Sequence, residues 1–112
     1  MLTIQTWCLP KLSEDELLSL HEDIVKAVIS VANTGVRDER DMLNLFPADM
    51  MSYGLGDEVK IEITDIPLKM TRQGRTWLAE AVGSATKKRL PTANVHCVVR
   101  APNPQDGNWP SQ

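Results

Sequence analysis

The chain has 112 residues, 42% hydrophobic and 24% charged, with a net charge of −3. That length supports one domain around one core. The mild acidity gives no electrostatic footprint for nucleic acid, and no apolar run approaches the roughly 18 residues that a membrane span needs.

Leu2–Leu9 is rich in β-branched and aromatic side chains and predicts a first strand, ended by Pro10. Ser13-Glu14-Asp15-Glu16 is a capping box, a hydroxyl N-cap with Glu three residues on. Leu12 and Leu17 stand where a hydrophobic staple would close over that cap. Leu17, Leu20, Ile24, Ala27, Val28 and Val31 then recur at helical spacing, and Gly35 suits the residue just past the helix end. Met42–Phe46, bounded by Asp41 and Pro47, predicts a second strand. Residues 47–58 hold Pro, Ser and Gly and read as a loop, with Met50-Met51 near Tyr53 forming an apolar pocket or interface.

Val59–Ile66 alternates, with Val59, Ile61 and Ile63 on one face and Lys60, Glu62 and Thr64 on the other. That pattern predicts a half-buried third strand. Thr71 caps a second helix whose expected apolar face is Trp77, Leu78, Ala81, Val82 and Ala85. Lys87-Lys88-Arg89 places positive charge at the negative end of its dipole, and Pro91 ends it. Val95–Val99 predicts a fourth strand, and residues 101–112 read as a Pro/Asn/Gly-rich tail.

The chain therefore starts over halfway along. Thr3–Pro10 and Lys60–Pro67 are both strand-like runs closed by a hydrophobic-Pro pair, and each precedes a hydroxyl-capped helix. The expected fold is α+β, a tandem β-α-β repeat with halves 1–46 and 59–100 in a single domain. Each helix is a crossover long enough to return its two strands parallel and right-handed. Two arrangements share this order. In one, two parallel pairs lie side by side in a four-stranded mixed sheet with both helices on one face. In the ferredoxin-like fold, the strands interleave into an antiparallel sheet. The matched halves favour the first.

No strong catalytic signature is present: no Gly-rich phosphate loop, no HExxH and no Cys/His cluster at metal spacing. No cofactor is expected. Cys8 and Cys97 lie far apart, and buried thiols in a reducing cytoplasm are expected rather than a disulfide. The N-terminus lacks a basic region followed by an apolar stretch, so no secretory signal is expected. His21, at helical spacing from Leu17 and Ile24, reads as a boundary residue, while His96 sits on the opposite face of its strand from Val95 and Cys97. Arg37 and Arg40 follow the first helix. Arg72 and Arg75 sit in the first turn of the second, where the dipole disfavours cations. They read either as a solvated basic edge or as carboxylate ligands, since a guanidinium fork binds carboxylate bidentately.

Several local strings resemble macrophage migration inhibitory factor-like members of the tautomerase superfamily. Leu45–Gly54 resembles their second-strand-to-loop region, and Asp106-Gly107-Asn108-Trp109 resembles the Asn/Gly/Trp motif after their last strand. The resemblance implies tandem β-α-β halves, a homotrimer with sites between subunits, no cofactor or metal, and keto–enol acid substrates. It also implies an N-terminal Pro acting as a base. Here that position is Met1, followed by Leu2, whose bulk is expected to keep Met1 in place. A Met α-amine has a reference pKa of about 7.7–8.0, and an apolar pocket would lower it by disfavouring the cation. A neutral amine base is thus chemically available. By the same resemblance, the basic position after the first helix aligns with Val36, beside Arg37. The strand-four donor aligns with His96, a neighbouring polar position becomes Val98, and Ile66 falls at the pocket wall. The implied site is Met1 and His96 as catalytic groups, with Arg37, Ile66, Arg72 and Trp109 binding a small-molecule acid. The expected function is a cytoplasmic, cofactor-independent isomerase of a small unsaturated or keto acid. The alternatives are a non-catalytic trimeric binding protein and a ferredoxin-like small-ligand module.

Overall fold

The computed structural model describes residues 2–47, 58–102 and 107. The elements run β1 (Leu2–Trp7), α1 (Glu14–Ile29), a short 3₁₀ turn (Glu39–Asp41), β2 (Met42–Leu45), β3 (Glu58–Thr64), α2 (Arg72–Arg89) and β4 (Asn94–Val99). The four strands form one sheet in the order β2-β1-β3-β4. β1 pairs parallel with β2, β3 pairs parallel with β4, and the central pair β1–β3 is antiparallel. This is the side-by-side arrangement of two β-α-β halves, and it sets the interleaved antiparallel alternative aside.

Strand periodicity decides which face carries the core. Leu2, Ile4 and Thr6 of β1, and Val59, Ile61 and Ile63 of β3, are all buried. They point to one side of the sheet because successive strand side chains alternate. Leu20, Ile24 and Val28 of α1 and Leu78 and Val82 of α2 close over that side in the same apolar cluster. Burying each such side chain contributes about 1.5–3 kcal/mol. The opposite sheet face is open and mixed. It presents Leu43 and Leu45, both exposed, beside Lys60, Glu62 and His96. On it, Glu62 pairs with Lys60 at 3.3 Å and with Arg100 at 3.7 Å.

The capping box forms as the sequence predicts: Ser13 Oγ accepts from the Glu16 N–H at 3.1 Å, and Glu16 Oε1 accepts from the Ser13 N–H at 3.2 Å. Thr71 Oγ1 caps α2 by accepting from the Gly74 N–H.

Three expectations need correction. Trp77 does not lie on the apolar face of α2: it is 55% exposed. The buried stripe is Leu78, Val82 and Thr86, and Trp77 stands about 100° around the helix from Leu78. Helix α1 ends at Ile29 with Ser30 as its cap, well before Gly35, and the Ser30 hydroxyl donates to the Ala27 carbonyl at 2.6 Å. β1 stops at Trp7, since Cys8 takes a left-handed φ of 64° that no strand can continue. The expected 101–112 tail and the Met50-Met51 pocket fall almost wholly outside the described residues.

Candidate functional site

The antiparallel meeting of the two halves gathers chemistry at one end of the sheet. There β1 begins beside the start of β2, and β3 ends beside the end of β4: Leu2 pairs with Met42, Thr3 with Thr64, and Ile63 with Val99. Two connections cross this end, residues 30–41 into β2 and residues 65–71 into α2. They pack together. Gly35, at a φ of +78°, brings its backbone against Pro67, where an added Cβ would sit 3.7 Å from the ring. Space is therefore not what requires glycine there. The left-handed backbone is. Asp65 also adopts a left-handed φ of 58°, and its carboxylate accepts a 3.1 Å bond from the Thr3 hydroxyl. That bond ties the end of β3 to the start of β1.

Beneath these connections lies an apolar bed of Leu2, Val36, Met42, Ile66 and Met70, all buried. Ile66, which the resemblance implies as a pocket wall, is buried in the core in the connection that leaves β3. Met1 lies outside the described residues, as does Trp109.

Arg37 follows Val36 directly and is exposed. Its backbone N–H donates to Asp41 Oδ2 at 2.9 Å, and among the described residues its guanidinium makes no ion pair. The neighbouring Arg40 is engaged differently. It holds Asp38 at 3.1 Å, and its hydrogen bonds keep the Asp38 carboxyl below the usual range. Only Arg37 of this pair keeps its charge uncompensated.

Arg72 opens α2 on the other side of the same end. It lines a shallow groove of about 430 Å³ with Arg75, Thr76, Glu80, Val99 and Ala101. Arg75 donates from Nη1 to the Met70 carbonyl at 3.2 Å. The first turn of α2 contains no acid. Arg37 and Arg72 therefore lie at the same end of the sheet, before β2 and at the start of α2, and the groove that Arg72 lines contains no residue of the bed.

His96 is not part of this gathering within one chain. It is exposed on the open face, in register with Lys60, which is in turn opposite Trp7. Trp7 is at the far end of β1 from Leu2, so His96 lies about 16 Å along the strands from the start of β1 at roughly 3.3 Å per residue. Cys97, on the helix-facing side of β4, has its thiol pushed up to about 12 by burial. It stays protonated near neutral pH and is no nucleophile.

One arrangement escaped the sequence reading. His21, half-buried on α1, lies between Glu39 Oε2 at 2.8 Å and Asn44 Nδ2 at 3.0 Å. Helical spacing marks it only as a boundary residue. The available signal was the pair Asp38 and Asp41, three residues apart, which forms a capping box around the 3₁₀ turn and so sets Glu39 in place.

No protein-family model matches the chain, and no curated protein matches it in sequence. Solved structures match it in fold. A fused 4-OT wild-type asymmetric trimer superposes with a TM-score of 0.74 at 14% identity, covering 96% of this chain and 91% of that one. Macrophage migration inhibitory factor of Toxoplasma gondii gives 0.71 at 16% identity, covering 98% and 97%. 5-Carboxymethyl-2-hydroxymuconate delta-isomerase gives 0.58 at 11% identity, covering 97% and 87%. These structures belong to the tautomerase superfamily. The chain has the tautomerase-superfamily fold, as its local strings implied. At such low identity the likeness speaks for the fold alone.

Proposed function

We propose that the protein is a cofactor-independent, tautomerase-like isomerase of a small unsaturated or keto acid. The carrying observation is the gathering at one end of the sheet: a buried apolar bed at the start of β1, with Arg37, which makes no ion pair among the described residues, before β2 and Arg72 at the start of α2. A guanidinium there binds the substrate carboxylate. The amine of Met1 is the base in this reading: it takes a proton from one end of the keto–enol system and returns it at the other. Ile66 walls the apolar part of the substrate, and Trp109 is assigned to substrate binding.

In this reading the oxyanion donor comes from a second copy. His96 is remote from the start of β1 within a chain, so its imidazole serves a neighbour's pocket across a homotrimer interface. The open sheet face, with exposed Leu43 and Leu45, supplies apolar area for that assembly.

A second reading rests on Met1 itself. With no prolyl nitrogen, the same fold can serve as a trimeric binding protein whose pocket holds an acid without turning it over. Ketonisation of phenylpyruvate and of 2-hydroxymuconate separates the two. The first reading expects turnover by the wild-type chain, reduced at least about 10-fold in kcat/KM by Arg37→Gln. An inert wild type, with activity appearing when Pro is inserted after Met1, favours the second. Light scattering tests the assembly: three times 12.5 kDa is expected, and twice that mass contradicts the homotrimer.

A further inference from the structure

The connection that carries Arg37 is held by polar bonds rather than by burial. Val36 is buried and Met42 is buried, but Arg37, Glu39, Arg40 and Asp41 between them are exposed. Within this segment Asp41 Oδ2 accepts from the N–H groups of Arg37 and Asp38, and Asp38 accepts from the Arg40 N–H. Those bonds fix the shape of the turn. They do not fix where it sits.

Among the described residues, the side-chain bond that leaves the turn runs from Glu39 to His21. The imidazole continues to Asn44 of β2 through Nδ1. An amide nitrogen only donates, so Nδ1 accepts, and the ring proton sits on Nε2 and points at the Glu39 carboxylate. One ring thus joins α1, the turn and β2. Among the described residues, Asn44 Oδ1 is buried without a hydrogen-bond partner. The Asn44 side chain is therefore held by what its nitrogen does for the ring, not by mutual satisfaction of both its polar ends.

We propose that His21 is a positioning residue: with Glu39 and Asn44 it pins the 36–41 connection to α1 and β2, and so holds Arg37 at the start of β1. The pinning is independent of any turnover. Its consequence for a bound acid rests on the reading of Arg37 as a carboxylate ligand.

Two measurements on the full chain test it. The first is the backbone ¹⁵N order parameter of residues 37–41. Wild type is expected near the rigid value of about 0.85, and His21→Leu, which keeps an apolar body on α1, is expected to fall below about 0.6 there while the sheet is unchanged. His21→Gln, whose amide can still donate to Glu39, is expected to restore most of the order. The second is steady-state ketonisation of phenylpyruvate. His21→Leu is expected to raise KM about 10-fold with kcat within about twofold, as a misplaced carboxylate ligand would. Unchanged order parameters in His21→Leu overturn the proposal. Lost order with an unchanged KM overturns the positioning of Arg37. A wild type that orders the turn through His21 but turns over no phenylpyruvate supports the pinning and defeats the isomerase reading alone.

Discussion

The two halves of the molecule share a plan and differ in their connections. The same spacing separates Ser13 from Thr71, Leu20 from Leu78, Ile24 from Val82 and Val28 from Thr86, so caps and buried stripes coincide. The connections after the helices do not. In the second half α2 reaches β4 through Leu90–Ala93, closed by the Ala93 N–H to Leu90 carbonyl bond and by Lys87 Nζ donating to the Ala93 carbonyl. In the first half the corresponding path runs from Ser30 to Asp41, with left-handed Asn33 and Gly35 and a 3₁₀ turn. Because β1 and β3 are antiparallel, these connections lie at opposite ends of the sheet. The elaborated one lies beside the start of β1. What the halves have in common builds the core, and where they differ marks the candidate site.

The largest test of the equivalence lies at the sheet centre. Ile4 and Ile61 are both fully buried on the two central strands. Ile4→Ala and Ile61→Ala are each expected to cost about 2–5 kcal/mol in denaturant unfolding. Costs differing by more than about 2 kcal/mol would break the symmetry of the core.

Next come the caps. Ser13→Ala removes the hydroxyl acceptor of a capping box and leaves the Ser13 N–H to Glu16 bond, and Thr71→Ala removes the one bond to Gly74. The loss is expected to be about 1 kcal/mol at each. A smaller effect of opposite sign is expected at Thr6. Among the described residues its hydroxyl is buried without a partner, where the second half carries Ile63 on the same face. Thr6→Val is expected to leave stability unchanged or raise it by up to about 1 kcal/mol. Destabilisation would show that the hydroxyl has a partner in solution.

The smallest effect joins the halves directly. Arg89 of α2 hydrogen-bonds Asp23 of α1 and holds that carboxyl below its usual 3.8. A depressed carboxylate stabilises the fold above its unfolded value and loses that contribution as pH falls through the folded value. Arg89→Ala is therefore expected to lower Tm slightly at pH 7, with the difference vanishing once pH falls well below 3.8. A difference that persists in acid would place its origin in packing.

The fold was legible because local signals agreed with one another. Ser13 with Glu16, the alternation of Val59, Ile61 and Ile63, and the repeated strand-to-Pro runs each had one consistent reading. Trp77 misled because an aromatic beside Leu78 looks apolar in sequence, while one residue of helix rotates it out of the core. Gly35 misled because its left-handed backbone serves a contact with Pro67 rather than the helix end. The site was legible only in part. Arg37 and Arg72 could be singled out by charge and position, but their placement on one end of the sheet depends on strand order. The His21 bridge joins residues 18 and 23 positions apart, and no local pattern encodes that meeting.

The central claim is that the start of β1 is a working site whose base is the amine of residue 1. Acetylating that amine in the assembled protein and measuring phenylpyruvate ketonisation tests it most directly. The account predicts turnover by the unmodified protein and a loss of about 10²–10⁴-fold on acetylation, the range expected for removing a general base. Equal turnover before and after acetylation, with the assembly intact, would contradict it.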